Sequence, residues 1–289
     1  MEIAVEKLLR SRSIIKKLMA LIKTPAEIEI MAEGGRKLAK VISILSGEVK
    51  VGITTNYLDE LSFKLIKEAG AVPAFLGYKP QGAKKPYPKT LCASVNDTVV
   101  HGLPSDYKIK DGDLVKIDLG LKWRGFYSDS AVTIGAGRIS SLAKNLIAVT
   151  KKSLDLGIQA AIVGRTLGDI GYAISGCVRK NKFSVVHSLT GHGIGSHLHE
   201  DPSVFNVGEP HKGLELIEGM VLAIEPMISA SDLGSGCPVR EFSDGSFVTR
   251  DGSLSAHFEH TIVITGGRPI ILTQIKNSLS SFLGMPRRK

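Results

Sequence analysis

Two aspartates, Asp118 and Asp129, flank Lys122-Trp123-Arg124-Gly125 in the stretch LVKIDLGLKWRGFYSDSAVTI, residues 114–134. Alternating runs of β-formers around a polar, glycine-containing tetrapeptide read as a β-hairpin with a four-residue turn. A turn centred between Trp123 and Arg124 sets Asp118 directly opposite Asp129. Side chains paired in that way have Cβ atoms roughly 4.5–5.5 Å apart, and like charges there are destabilising. A metal ion between them would reverse the penalty, because a bound cation is the largest local charge and inverts the usual pKa logic. Aspartates facing water would need no such partner.

Three more residues of the same chemical kind follow. His192 lies among glycines in Gly191-His192-Gly193-Ile194-Gly195, and such glycines permit tight turns and close backbone approach. The run is not GxGxxG and opens no helix, so it is not a phosphate loop. Val221-Leu222-Ala223-Ile224 leads into Glu225-Pro226, a carboxylate at the end of an apolar strand that proline interrupts. Glu259, in HFEHTIVIT, alternates onto the face of Thr261 and Val263. A lone charge in such a strand is ordinarily solvated. One histidine and four carboxylates, nearly all on apolar strands, are harder to explain separately.

The elements that position them form a repeating pattern. Thr24-Pro25-Ala26-Glu27 has a capping threonine, a proline suited to the first helical position and a glutamate that completes a capping box. Ile28, Met31, Leu38, Ile42 and Leu45 follow at helical spacing; after Val51-Gly52-Ile53-Thr54, a second helix carries Leu58, Leu61, Leu65 and Ile66 and stops at Gly70. A helix over about 141–160, then Val163-Gly164-Arg165-Thr166, then a helix with Ile170, Ala173, Cys177 and Val178 repeats the arrangement. Strands follow each pair, over 98–134 and 184–272, which suggests a duplicated αβ unit. Two such halves make an antiparallel-rich α+β domain with a site at their junction. Residues 77–89, rich in Gly, Lys and Pro, read as a surface loop.

Composition sets outer bounds. The 289 residues are 43% hydrophobic and 22% charged, enough ordinary globular chain for a substantial core. Cys92, Cys177 and Cys237 are odd in number, far apart and without a CxxC pattern, which suits a reducing compartment and no structural zinc ribbon. No apolar run approaches the ~18–20 residues of a membrane span, and the N-terminus lacks an uninterrupted apolar core for a secretory signal. The expectation is a cytoplasmic protein. A net charge of +9 can favour a polyanion such as the ribosome or RNA, although surplus lysine on a soluble enzyme gives the same figure. Residues 1–23 form a basic amphipathic segment, with Val5, Leu8, Leu9, Ile15, Leu18, Met19 and Ile22 near one helical face.

The motifs IKTPAEIE, SVNDTVVHG, KIDLG with YSDSA, GHGIGSHLHEDP, AIEPM and SAHFEHTIV, in this order, resemble a type I methionine aminopeptidase of the pita-bread fold. The likeness runs from about Ile22 to Leu272. It implies an α+β fold of two pseudo-symmetric halves, about 22–135 and 136–275, with a curved antiparallel-rich sheet, outer helices and a basic extension over 1–21. The single catalytic domain is expected over 22–289. The resemblance further implies two divalent ions held by Asp118, Asp129, His192, Glu225 and Glu259. Such an oxygen-rich set suits Mn²⁺, Fe²⁺, Co²⁺ or Zn²⁺ rather than thiolate-seeking ions. Two ions ~3.5–4 Å apart can share a water and lower its pKa.

By the same resemblance, Glu225 is the general base, and His199 meets the substrate carbonyl or tetrahedral oxyanion. His101 contacts the scissile amide nitrogen, and Tyr78, Tyr87 and Cys92 line the methionine pocket. Lys79–Lys85 looks like an insertion beside that pocket, and Ser246 or Phe247 must finish its wall. His187, His211, His257 and His260 are expected to be surface or packing residues. The implied substrate is the N-terminal methionine of nascent polypeptides, handled by a monomer with possible ribosome association and no membrane.

Three rivals share the fold. Proline-specific aminopeptidases usually carry a large extra N-terminal domain, for which the residues before Ile22 leave no room. A catalytically inactive ribosome- or RNA-associated module would typically have lost ligands. Type II methionine enzymes insert a helical subdomain between the segments matching His199 and Glu225, where only DPSVFNVGEPHKGLELIEGM stands here.

Overall fold

A computed structural model describes residues 21–80, 85–234 and 236–275. The basic extension therefore lies outside the described residues except at its end, as does the middle of the 79–85 insertion. Helix α1 (Pro25–Glu48) starts as its sequence predicts: the Thr24 N–H donates to the Glu27 carboxylate at 2.7 Å, and the Thr24 hydroxyl accepts from the Glu27 N–H. Gly52 turns the chain at φ 90°, and Thr54 caps α2 (Thr55–Glu68), accepting from the Tyr57 N–H at 3.2 Å. There follow β1 (Val72–Pro73), β2 (Cys92–Val95), β3 (Thr98–Val100), β4 (Leu114–Trp123) and β5 (Phe126–Gly135).

The second half repeats the helix pair. After α3 (Ser141–Ala160), Gly164 turns at φ 81° and α4 (Leu167–Lys180) begins, with the Thr166 N–H donating to the Asp169 carboxylate at 2.8 Å. Its strands are β6 (Ser184–Val185), β7 (Thr190–Gly193), β8 (Glu200–Phe205), β9 (Val221–Ile224), β10 (Met227–Ser229), β11 (Val239–Glu241), β12 (Phe247–Thr249), β13 (Ser255–His257), β14 (His260–Val263) and β15 (Ile270–Ile271). VGIT and VGRT thus fill equivalent corners. Among the described residues every strand pair is antiparallel, in four sheets: β1-β4-β2 with β5 on β4, β13-β10-β6, β11-β12-β3, and β15-β14-β9-β7-β8.

Helices α1 and α2 bury Ile28, Met31, Leu38, Leu45 and Leu58 against Ile117, Leu119 and Leu121 of β4. Helices α3 and α4 bury Leu146, Ile158, Ile170 and Ile174 with Leu222, Ile224 and Ile262. Among the described residues no helix is long and apolar enough to cross a membrane.

Two expectations about the strands need correction. The hairpin turn has two residues, not four: Trp123 pairs with Phe126, and Arg124 (φ 47°) and Gly125 (φ 93°) both take left-handed backbone. Positive φ at both central residues marks the type I′ turn, whose twist matches that of the flanking strands. The register therefore pairs Asp118 with Ala131 and Asp129 with Gly120. The aspartates are diagonal neighbours on one face, still within reach of a shared partner.

The second correction concerns Glu259, which does not lie within a continuous strand. Strands β9 and β14 pair in the five-stranded sheet, and β10 and β13 pair in a different one. The chain changes sheets at Glu225-Pro226 and, facing it, at Phe258-Glu259. Pro226 lacks the N–H that would continue the ladder. Both glutamates thus leave from paired breaks, with their backbones fixed by strands on either side.

A candidate metal centre

The hairpin of the first half is stitched to the 255–261 segment of the second. The Thr133 hydroxyl donates to the His257 carbonyl at 2.7 Å and accepts from the His257 N–H at 2.8 Å. The Glu259 N–H donates to the Ala131 carbonyl at 2.9 Å, and the Ser130 hydroxyl donates to the Glu259 carbonyl at 2.7 Å. The Thr261 hydroxyl accepts from the Asp129 N–H and donates to its carbonyl, at 3.0 and 2.8 Å. The fully buried Lys116 reaches across from β4, its Nζ donating to the Asn96 carbonyl at 2.6 Å and to the Ser255 carbonyl and hydroxyl at 3.1 Å. These bonds hold Asp118 and Asp129 against Glu259.

The ligand atoms of Asp129, His192 and Glu259 lie within 4.8 Å of one another. His192 sits on β7, where Gly191 and Gly193 pack against the Ala223 and Asp201 carbonyls with no room for a Cβ. Its Nδ1 is 2.8 Å from the Gly193 carbonyl. Donation there assigns the proton to Nδ1 and leaves Nε2 as a lone-pair donor. That Nε2 lies 3.6 Å from Glu225 Oε1. Burial pushes the ring pKa down to about 4, so the imidazole is neutral and competent to ligate.

Asp118, Asp129, Glu225 and Glu259 all have carboxyl pKa values pushed up, by burial first. For Asp118 the Asp129 charge adds to this; for Glu225 the charges of Asp118 and Asp129 do; for Glu259 those of Asp129, Glu225 and Asp118 do. Four clustered carboxylates without compensating cations would have to hold protons.

The polar bookkeeping agrees. Among the described residues, the buried side-chain polar atoms left without a hydrogen-bond partner are Asp118 Oδ1, Glu259 Oε1, both ring nitrogens of His257, and Asn206 Oδ1. Buried polar groups are nearly always satisfied, so a cluster of exceptions calls for something that completes it. The Asn206 amide itself donates to the Glu225 carbonyl at 3.0 Å. The donor set of hard oxygens and one imidazole nitrogen fits a divalent cation.

The predicted substrate residues border this cluster. His199 and His101 remain open to solvent although set among many protein atoms, as the wall of a cleft requires. The His199 ring lies 4.4 Å from that of His192, and its Nδ1 is 2.7 Å from the Tyr78 hydroxyl. Burial, with help from His192 and His101, pushes its pKa down to about 3. His101 takes left-handed backbone (φ 59°) beside Gly102, which packs against Ala93 and Ser94 too closely for a side chain. Cys92 pairs with Asp118 across β2 and β4, and the Tyr87 hydroxyl donates to the Leu91 carbonyl at 3.1 Å. At the undecided wall, the Ser246 hydroxyl turns back to Asp244 at 2.7 Å, whereas the Phe247 ring stands edge-on to His101 at 5.6 Å.

One expected packing residue has an ionisable neighbour that sequence reasoning missed. His257 is buried, but its Nε2 lies 3.3 Å from Glu225 Oε2. Asn206 was also missed, in a loop segment with no motif to mark it.

Comparison with known proteins defines the class. Residues 29–266 match the model of metallopeptidase family M24. The chain belongs to that family. It is 44% identical to the methionine aminopeptidase of Clostridium perfringens, over 89% of this chain and all of that protein. Methionine aminopeptidase 1 of Bacillus subtilis is 43% identical at the same coverage. The crystal structure of the methionine aminopeptidase from Thermotoga maritima superposes with a TM-score of 0.82 at 40% identity, covering 88% of this chain and 98% of that one. Within family M24 the chain is a methionine aminopeptidase, a hydrolase. A prolidase from Pyrococcus furiosus, at 24% identity and a TM-score of 0.69, shares the pita-bread fold alone.

Proposed function

We propose that this chain hydrolyses the peptide bond after the N-terminal methionine of newly made polypeptides, using two divalent ions held by Asp118, Asp129, His192, Glu225 and Glu259. The observation that carries this reading is the gathering of Asp129 and Glu259 around the neutral His192, with Glu225 3.6 Å from the same ring and one oxygen each of Asp118 and Glu259 unpartnered. When bound, a pair of such ions supplies a more acidic water and a polarised carbonyl.

The side chains do the rest. Glu225 takes the proton of the attacking water as that oxygen bonds to the methionine carbonyl carbon. His199 meets the developing oxyanion: a Tyr78 hydroxyl donating to Nδ1 assigns the proton to Nε2, aimed at the cleft. As the C–N bond breaks, the leaving amide nitrogen, contacted by His101, takes from Glu225 the proton that came from the water and departs as the new N-terminal amine. Tyr78, Tyr87, Cys92 and Phe247 enclose the methionine side chain. A methionyl peptide should release free methionine, and a peptide with proline second and another residue first should not be cleaved. Cleavage of the second peptide alone would overturn this reading.

Residues 22–289 act as one catalytic domain, monomeric and cytoplasmic; the free Cys92, Cys177 and Cys237 fit such a reducing compartment. The basic extension over 1–21 adds salt-sensitive ribosome affinity without entering the chemistry. Deleting it should leave peptide hydrolysis intact and weaken ribosome co-sedimentation at ~0.1 M salt, where the Debye length is ~10 Å, far more than at ~1 M. Unchanged co-sedimentation would remove the docking role, and collapsed hydrolysis would make the extension part of the fold.

A further inference from the structure

Nothing in the chemistry above employs His257, yet its backbone is tied down on both sides of the peptide. Its backbone carbonyl and N–H are both held by the Thr133 hydroxyl, at 2.7 and 2.8 Å. Its strand pairs with β10 through Met227, two residues after Glu225. The ring is 1% exposed, and neither nitrogen has an aligned hydrogen bond. An apolar side chain of similar size would fill this space without leaving polar atoms unmatched.

Glu225 Oε2 lies 3.3 Å from the ring's Nε2, while Glu225 Oε1 faces His192. The two imidazoles thus bracket the two oxygens of one carboxylate. His192 has its Nδ1 committed to Gly193 and offers Nε2 as an acceptor. His257 has no such commitment, so its proton can sit on Nε2 and point at the glutamate. Hydrogen bonds of catalytic groups are often long or poorly aligned until a site is loaded.

We infer that His257 is a positioning residue: its Nε2–H donates to Glu225 Oε2, fixing the carboxylate's rotation so that Oε1 is directed into the metal pocket. The Asn206 amide secures the same residue from behind, through the Glu225 carbonyl. Side chain and backbone of Glu225 are then each held by a separate donor. This inference rests on the reading of Glu225 as ligand and proton acceptor.

The test compares H257Q with H257M in the metal-loaded, full-length enzyme. The two replacements are similar in length and unbranched, but only the amide donates. Partners of this kind typically contribute 10–100-fold in metal affinity or activity. H257M should lower kcat about 10–100-fold with KM little moved, and should weaken Mn²⁺ binding by calorimetry while the number of ions bound stays the same. H257Q should recover most of both.

Equal losses in the two variants, or a Met variant that outperforms Gln, would make His257 a packing residue. Loss of one bound ion in H257M would make it a ligand instead, and would overturn the inference equally. If H257M does not fold, H257Q still decides, because a large loss there contradicts donation. E225Q is measured alongside. Normal turnover in E225Q would overturn the underlying reading of Glu225, whereas an inactive E225Q beside a fully active H257M would overturn only the role of His257.

Discussion

Removing divalent metal with a chelator will abolish methionyl-peptide hydrolysis, and adding Mn²⁺ or Co²⁺ will restore it. The protein places Asp118, Asp129, Glu225 and Glu259 in one cluster, where burial disfavours all four charged forms and neighbouring carboxylates add to this for Asp118, Glu225 and Glu259. Only cations can return four carboxylates to the ionised state in such a place. Protons compete for the same oxygens. Since these carboxyls hold their protons to higher pH than ordinary carboxylates, metal affinity should weaken as pH falls from about 8 to 6, with protons released on binding. Calorimetry in buffers of different ionisation enthalpy measures that release. Full hydrolysis by thoroughly metal-free protein would sink the assignment.

The second large effect is expected from His199→Ala. The variant keeps all five proposed ligands but removes the imidazole proposed to meet the substrate carbonyl. Loss of one such preorganised donor costs about 10²–10³ in turnover. Metal content should be unchanged, because the His199 ring packs beside His192 without joining the Asp129–His192–Glu259 group. Tyr78→Phe should produce a smaller loss in the same direction, since it removes the hydroxyl 2.7 Å from Nδ1 but leaves the imidazole in place. Near-normal turnover in the alanine variant would remove His199 from the mechanism.

Much of this was legible in the chain itself. Helix starts at Thr24 and Thr54 are local signals, written in three or four residues, and they held. The repeated VG-x-T corners were equally local, and both glycines take the positive φ that favours glycine. Long-range features were less accessible. Residue types indicate a hairpin after Asp118, but its register depends on whether Arg124 adopts left-handed backbone, which is uncommon for a side chain of that kind. The break at Phe258-Glu259 has no proline to announce it; it exists because the facing strand breaks at Pro226 and the two must change sheets together. The role of His257 depends on that crossing. No local pattern could separate it from His260, which packs quietly with its Nδ1 2.9 Å from the Thr273 hydroxyl.

The hairpin tip carries a constraint on how this gene can change length. Exposed loops ordinarily absorb insertions at little cost. Here the turn is two residues long, and Asp118 and Asp129 are brought together by counting back from it on either strand. One extra residue at Arg124-Gly125, if the strands re-paired around it, would turn every side chain of one strand to the opposite face. Asp129 would then point into the apolar layer beneath α1, and the residue facing the metal pocket would be Ser128 or Ser130. Viable length variants at this remote tip should therefore be those that absorb the change as a local bulge, or that add residues in pairs.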